Sequence, residues 1–388
     1  MDSIGKITLL TLSETPVGND RLQALEREVP KVRAEPPVVQ PTHMRRSPAH
    51  LPRLLRLRLK GIPYLVAKCD NASMHALIER VLGAETYDVI YVGHLGMATY
   101  LARIRCLAPT ARVILEEHNV EWAIFDQLAP TFRLGLRQAA KWEAWSLRGY
   151  ERRALRAVDS VIAISDADAE AFRLFAATPA IVVPTYVEPG PPREESTRAP
   201  SLAYTGTLAW QPNSRGLDWF CKEVWPRVRE RVRDATLTIA GPGLGRRADG
   251  SLAVPVNWDL PGISTVGYVD DLEEVYRNSV AVIAPIVGGS GVRMKLLESM
   301  RAGMPTVTTK DGAAGLDVED GREMLITDDS ARFAEGVVRL LSDEGLRAKI
   351  RAAGYEYLRT HHSIAAARTR LEKALAVRAD AAISSYAK

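Results

Sequence analysis

Cysteine is scarce. The 388 residues contain only Cys69, Cys106 and Cys221, widely spaced and without a CxxC pair or a histidine partner, which excludes a disulfide frame and a cysteine-based zinc site and points to reduced thiols in a cytoplasm. Long hydrophobic runs are missing as well. No apolar stretch reaches the roughly 18 residues that cross a bilayer, and the first residues lack the basic-then-apolar pattern of a secretion signal. Nor is there an excess of charge of one sign: 51 Lys and Arg against 47 Asp and Glu leave a net +4, too little at this length to suggest a nucleic-acid binder.

What the chain does have is length and alternation. At 388 residues it exceeds one average domain, so two domains with two buried cores are expected. The stretch that organises it is residues 280–309, VAVIAPIVGGSGVRMKLLESMRAGMPTVTT. Its opening is a β-branched apolar run that reads as a buried parallel strand. Gly288, Gly289, Ser290 and Gly291 form a turn, after which Met294, Leu297 and Met300 recur at helical spacing until Gly303 and Pro305 end the helix. Residues 304–309 read as the next strand.

A glycine turn between a parallel strand and a helix presents free N–H groups to anions at the strand's carboxyl end. Arg293 and Lys295 fall in the first turn of that helix, where a cation meets the positive end of the macrodipole at a cost of roughly 0.3–1 kcal/mol. A bound diphosphate would remove the conflict. Ser290 can cap the helix, and Glu298, one turn beyond Lys295, can accept hydrogen bonds from vicinal hydroxyls such as those of a ribose. The plainer alternative is an ordinary βα turn with solvated basic residues and a Glu298–Lys295 pair.

Elsewhere the text reads as repeated βα units. Residues 6–12, KITLLTL, form a strand candidate, followed by a helix over 20–28 and a short strand at Val38-Val39. Residues 44–60 carry Arg45, Arg46, Arg53, Arg56, Arg58 and Lys60 with interleaved leucines and no acidic residue. Two readings stay open for them: a basic amphipathic segment lying on anionic lipid, or a solvated connector whose leucines join the core, the latter favoured. Further strands are expected at 87–92, ending on Gly93-His94, and at 112–115, closing on Glu116-Glu117-His118-Asn119. His118 therefore stands at a strand's carboxyl end, where ligands gather in open α/β sheets. Trp122, Trp142 and Trp145, on a long helical stretch to 157, are expected in the core or in domain packing. Strands at 160–164 and 181–186 precede EPGPPREESTRAP at 188–200, the best linker in the chain.

A second series follows. Residues 202–204 end on Thr205-Gly206-Thr207, a helix spans 217–230, strands fall at 236–240 and 263–266, and a strand at 325–327 precedes helices over 331–341, from 346, and over 364–382. The expected architecture is α/β, two doubly wound Rossmann-like domains facing a cleft that holds the ligand. The boundaries are 1–187 for the first domain, 188–200 for the linker, 201–362 for the second, and 363–388 for a terminal helix packing back on the first.

The second half resembles the sugar-nucleotide-dependent glycosyltransferases of the GT-B fold, specifically the retaining family numbered four. The likeness rests on TGTLAWQPNSRGLDWF at 205–220, GYVDDL at 267–272, GGSGVRMKLLESMRAGMPTVTT at 288–309 and GAAGLDVEDGREMLI at 312–326. The first half resembles the family more weakly, through YDVIYV, LEEHNVEW and VDSVIAISDAD. The resemblance implies a nucleoside diphosphate-sugar donor held by the second domain. Gly206 would let the backbone approach the diphosphate, Tyr268 and Val269 would border the base, Gly289, Ser290 and Gly291 and the helix behind them would meet the phosphates, and Glu298 would take the ribose.

This sequence departs from the family pattern in three places. Ser290 replaces the earlier of two glutamates usually eight positions apart. The first glycine loop carries Thr207 and Asn213 where an Arg and a Lys are usual, so Arg293 and Lys295 would supply the charge that stabilises the leaving diphosphate. KITLLTLSETPVGNDRL reads either as the family's second strand onward, the favoured reading, or as its first strand with an unusual turn at 16–19.

Front-face transfer with retention is implied, with His118 positioning the donor sugar. No metal is expected, because no DxD-like acidic pair stands at a suitable strand end, and no cofactor is expected beyond the donor substrate. The acceptor would be a glycan, a lipid-linked saccharide or a small molecule, in glycan biosynthesis in the cytoplasm, with peripheral membrane contact through 44–60 at the inner face. A sugar-nucleotide epimerase of the same fold and a non-catalytic homologue remain as alternatives.

Overall fold

A computed structural model describes residues 5–13, 19–39, 56, 58, 61–131, 134–191, 199–247, 249–288 and 291–376. They fall into two compact units. The first holds the chain to Ile162 together with Glu170–Ile181, and the second holds Ala163–Ala169 and the described chain from Val182 to Ala376.

In the first unit, β1 (Ile7–Leu9) runs parallel to β3 (Val32–Ala34), and the helix Asn19–Glu28 connects them. β2 (Leu12–Ser13) runs parallel to β4 (Val38–Val39). Residues 6–12 thus make two short ladders instead of one strand. The segment that pairs with them carries Pro36-Pro37 between β3 and β4, and proline has no N–H to donate to a ladder. A four-stranded sheet follows in the order β5 (Val89–Gly93), β6 (Arg112–Glu117), β7 (Ser160–Ala163) and β8 (Ala180–Val182).

The long helical stretch expected from Trp122 is two helices, Glu121–Leu128 and Leu134–Arg156, separated by a 3-10 turn at Ala129–Thr131 that contains Pro130. The second helix buries Ala144, Leu147, Ala154 and Leu155. Trp142 and Trp145 fall on its opposite side and are 56% and 73% exposed. The expectation that they pack in a core is therefore wrong, since at 3.6 residues per turn they cannot share the buried stripe. Trp122 is partly buried beneath the Arg148 guanidinium, 4.7 Å from its ring.

The second unit is built on a six-stranded sheet in the order β11 (Ile263–Gly267), β10 (Thr236–Ala240), β9 (Ser201–Thr205), β12 (Ala281–Ala284), β13 (Thr306–Thr308) and β14 (Leu325–Ile326), with every pair parallel. All residues of β9 and β12 are buried, as expected of central parallel strands covered on both faces. The chain winds outward from β9 through β10 to β11, then returns to lay β12 on the other side of β9. The connections leaving β9 and β12 therefore diverge, and a crevice opens at their carboxyl ends, the topological switch point.

The helix expected over 217–230 begins earlier, at Gln211, with Pro212 in its first turn, and passes through a π segment at Phe220–Val224 into Trp225–Arg231. Phe220 lies edge-on to Phe333, 5.9 Å between ring centres, and 6.1 Å from Trp225, tying these helices to Ser330–Ser342 over the sheet. Residues 188–191, the described start of the expected linker, are bonded into the second unit. Gly190 N donates to Arg301 O at 3.2 Å, and the Glu188 carboxylate caps the Ile364–Ala376 helix by accepting from Ile364 N. That helix groups with the second unit. Residues 192–198 and 377–388 lie outside the described residues.

Candidate functional site

Two glycines shape the switch point. Gly206 follows β9 with φ +150° and Gly241 follows β10 with φ +149°, a region costly for other residues. A Cβ on Gly241 would lie 1.8 Å from Gly206 O, so the two loop backbones pass in direct contact. On its other side, a Cβ on Gly206 would lie 2.5 Å from Lys295 Nζ. Gly206 is open to the ammonium because it has no side chain.

Lys295 reaches this place from the helix Met294–Arg301, across the switch point. Its Nζ donates to Asn213 Oδ1 at 2.8 Å and to Tyr204 Oη at 3.1 Å, and sits 4.5 Å from the Tyr204 ring centre. Asn213 is 2% exposed and donates from Nδ2 to the Thr207 carbonyl at 2.9 Å, while Thr207 itself is exposed. The lysine ammonium thus stands beside the loop that carries Thr207 and Asn213. Burial, aided by the nearby Arg293 charge, pushes the Lys295 pKa down to about 7.

Arg293 is the N-cap residue of the same helix and makes no side-chain capping bond. It is 6% exposed; its Nη2 donates to Gly288 O at 3.2 Å and to Asp311 O at 3.5 Å, and the guanidinium lies 5.2 Å from the Trp210 ring centre. Burial lowers its pKa, against the Asp311 charge. The Asp311 carboxylate in turn accepts from Gly288 N at 2.7 Å, fixing the start of the glycine turn. Two enclosed cations beside the N-terminus of a helix make a place where an anion is stabilised by charge, by helix dipole and by low local polarizability together.

Glu298 does not pair with Lys295. Its Oε2 accepts from Arg301 Nε at 2.7 Å, and Arg301 also reaches Glu273 at 3.2 Å. Lys295 is drawn toward Asn213, which leaves the i+3 arginine as the carboxylate's partner. Tyr268 and Val269 follow β11. Tyr268 is 69% exposed, and Val269 packs against the buried cluster around Tyr276. Gly291 is buried with φ +81°, while Gly289 and Ser290 lie outside the described residues. Sequence reasoning missed Tyr204, Trp210, Gly241 and Asp311. Tyr204, two residues before the glycine it had singled out, was within reach of it.

His118 lies in the first unit, just past β6. Glu116 Oε1 is 3.4 Å from its Nε2, and this pairing holds the imidazole pKa above its ordinary value. Beside it, 6.0 Å between ring centres, is His94, which sequence reasoning left as a strand end. His94 has φ +73°; its Nδ1 accepts from Gly96 N at 3.1 Å and its Nε2 is 3.2 Å from Glu121 Oε1.

Behind them Glu117 is fully buried and accepts from Leu95 N at 3.2 Å through Oε2. Burial, then the Glu151 and Glu121 charges, raise its pKa well above the usual carboxylate range, which favours its protonated form in the fold. The unfolded chain ionises this group at its ordinary pKa and therefore binds fewer protons than the native state as pH rises, which lowers stability. We expect Glu117→Gln to raise the melting temperature at pH 8 while leaving it unchanged at pH 4. An identical pH profile for variant and wild type would contradict this assignment. Among the described residues no group of three or more His, Cys, Asp or Glu is arranged to hold a metal ion.

The fold is GT-B, with two Rossmann-like units. Residues 199–343 match the family model described as glycosyl transferases group 1. The chain is similar over 140 residues, 31% identical, to phosphatidyl-myo-inositol mannosyltransferase of Mycobacterium leprae. It is similar over 141 residues, 27% identical, to an uncharacterized 44.6 kDa protein in the cps region of Klebsiella pneumoniae. These matches take in 35% and 36% of this chain, and the chain spans 36% of the length of each of these curated relatives. Among solved structures, HepE of Anabaena in complex with UDP and glucose superposes with a TM-score of 0.62 at 14% identity, covering 96% of this chain and 99% of that one. Sucrose-phosphate synthase of Thermosynechococcus elongatus superposes with 0.65 at 14%, covering 96% and 98%.

Proposed function

We propose that this protein is a retaining glycosyltransferase that moves a sugar from a nucleoside diphosphate-sugar to a carbohydrate, lipid-linked or small-molecule acceptor, with no metal and no cofactor beyond the donor. The observation that carries this reading is the enclosed pair Lys295, against Gly206, and Arg293, at the start of the Met294–Arg301 helix. As the glycosyl bond loosens, negative charge builds on the departing diphosphate, and fixed cations with a helix N-terminus lower the energy of that state more than that of the bound donor. Glu298, whose Oε2 is held by Arg301, offers its other oxygen to the ribose hydroxyls. Tyr268 and Val269 border the base. His118, kept basic by Glu116, positions the donor sugar. HepE was crystallised with UDP, which makes UDP the first donor fragment to try.

Isothermal titration with UDP, GDP and ADP tests the reading: one of them should bind, and donor hydrolysis by the purified protein should be lost in Arg293→Ala and Glu298→Ala. Absence of binding to all three by a folded protein sinks it. Retention is checked by the anomeric configuration of the product in a nuclear magnetic resonance time course.

Affinity should also depend on pH. The free Lys295 ammonium titrates near 7, and a bound diphosphate raises that pKa, so binding above pH 7 takes up a proton. Nucleotide affinity is expected to fall by up to about tenfold per unit as pH rises from 7 to 9, with an uptake visible as a buffer-dependent heat. A flat profile contradicts the proposed contact.

A further inference from the structure

The helix Leu134–Arg156 carries a surface that the proposed reaction does not use. Its two carboxylates, Glu143 and Glu151, are buried, 8% and 0% exposed. Its outward side presents Lys141, Trp145, Arg148 and Arg152, all exposed and spaced as neighbours along one helix face. Trp142 stands beside them. An indole 73% exposed at Trp145 and another 56% exposed at Trp142 are a large apolar area to leave in water. The basic segment noted in the sequence meets this place. Of residues 44–60 the structure describes Arg56 and Arg58, and the Arg58 guanidinium lies 3.8 Å above the Trp142 ring while pairing with Glu143. Cationic and aromatic groups from two separate stretches of chain therefore form one continuous patch.

The geometry points to this patch as a docking surface for an anionic lipid bilayer, with Trp142 and Trp145 seated at headgroup depth and Lys141, Arg148, Arg152 and Arg56 against lipid phosphates. Tryptophan prefers the membrane–water boundary because its ring is apolar and its N–H polar, and long basic side chains lie along that boundary with their charges in the headgroup layer. A dissolved polyanion would be attracted by the charges but gives no reason for two outward indoles. Each basic residue near such a surface adds to the attraction, which falls with ionic strength. The surface goes beyond the proposed transfer and stands or falls apart from it.

The test is co-sedimentation of the full chain with vesicles of phosphatidylcholine alone and of phosphatidylcholine mixed with phosphatidylglycerol. The double variant Trp145→Ser/Lys141→Glu is run beside the wild type, and nucleotide titration and melting temperature are measured on both. Both substituted side chains are exposed, so folding and nucleotide binding should be unchanged. The wild type should bind the anionic vesicles at least about tenfold more tightly than the neutral ones, with a blue shift of tryptophan emission. The double variant should lose at least about tenfold of that affinity and most of the shift. Equal binding to both vesicle types, or an unchanged double variant, overturns the inference. So does a vesicle-independent dimer that dissociates in the variant by analytical ultracentrifugation, since the patch would then join two copies. Loss of nucleotide binding in the wild type would count against the transferase reading and leave the vesicle result intact.

Discussion

Replacing Lys295 by methionine is expected to reduce the rate of sugar transfer by about 10²–10³, the usual consequence of removing one fixed positive group from where charge develops in a transition state. The same change should not weaken the fold. The Lys295 pKa is lowered from its ordinary value to about 7, so its charged form is disfavoured in the native state relative to the unfolded chain. Between pH 7 and the ordinary lysine range the unfolded chain binds more protons than the native one, and stability rises with pH through that window. Methionine has the length of the stem and no charge to enclose, so Lys295→Met should melt higher than the wild type at pH 6 and lose its advantage by pH 10. Transfer assays and melting curves on the same preparations separate the two roles. A variant that loses activity only because it unfolds, or one that keeps full activity, contradicts the assignment. The combination of lost activity with kept or increased stability is what a group enclosed for function, at the expense of the fold, produces.

Gly216→Ala is expected to have the largest effect on stability, about 3 kcal/mol or more, and to leave little folded protein. Gly216 lies inside the Gln211–Trp219 helix, where alanine would normally be preferred. A Cβ there would stand 1.4 Å from Pro285 O, a backbone atom that cannot swing aside. The helix is pressed against the end of β12 at this point, and Val287 N donates to Pro212 O at 3.1 Å just beyond. That contact sets the distance between the Asn213 side chain and the crevice that Lys295 enters. Gly83→Ala is the control: it lies in the helix Ala72–Ala84 with nothing within 4 Å of its Cβ position, and should stabilise by about 0.5 kcal/mol. Denaturant titration of both variants decides the matter, and a Gly216→Ala protein as stable as the wild type would show that the helix can move off β12.

Much of this was legible in the text of the chain because the signals are local. A β-branched apolar run is a strand wherever it lies, and so β9, β10, β11 and β12 fall close to where the residues suggested. Met294, Leu297 and Met300 at helical spacing gave the helix that carries the cations. The boundaries drifted where one local rule yielded to packing. Val292 and Arg293 stay outside the helix, which begins at Met294, because Arg293 is extended at the N-cap position. Residues 211–216 joined a helix that hydrophobic spacing started at 217, since Pro212 suits a first turn and Gly216 suits close packing. Trp142 and Trp145 were misplaced because aromatic identity says nothing about which side of a helix faces inward; the buried alanines and leucines settle that.

The sequence by itself determined the class of fold, the switch from strand to helix at each glycine turn, and the presence of two basic residues at a helix start, because each depends on neighbours within a few positions. Only the tertiary structure decided that Lys295 crosses to Asn213 and Tyr204 and that His94 stands beside His118. Those partners lie on different strands or turns, and which of them meet depends on strand order and backbone approach, which no run of adjacent residues encodes.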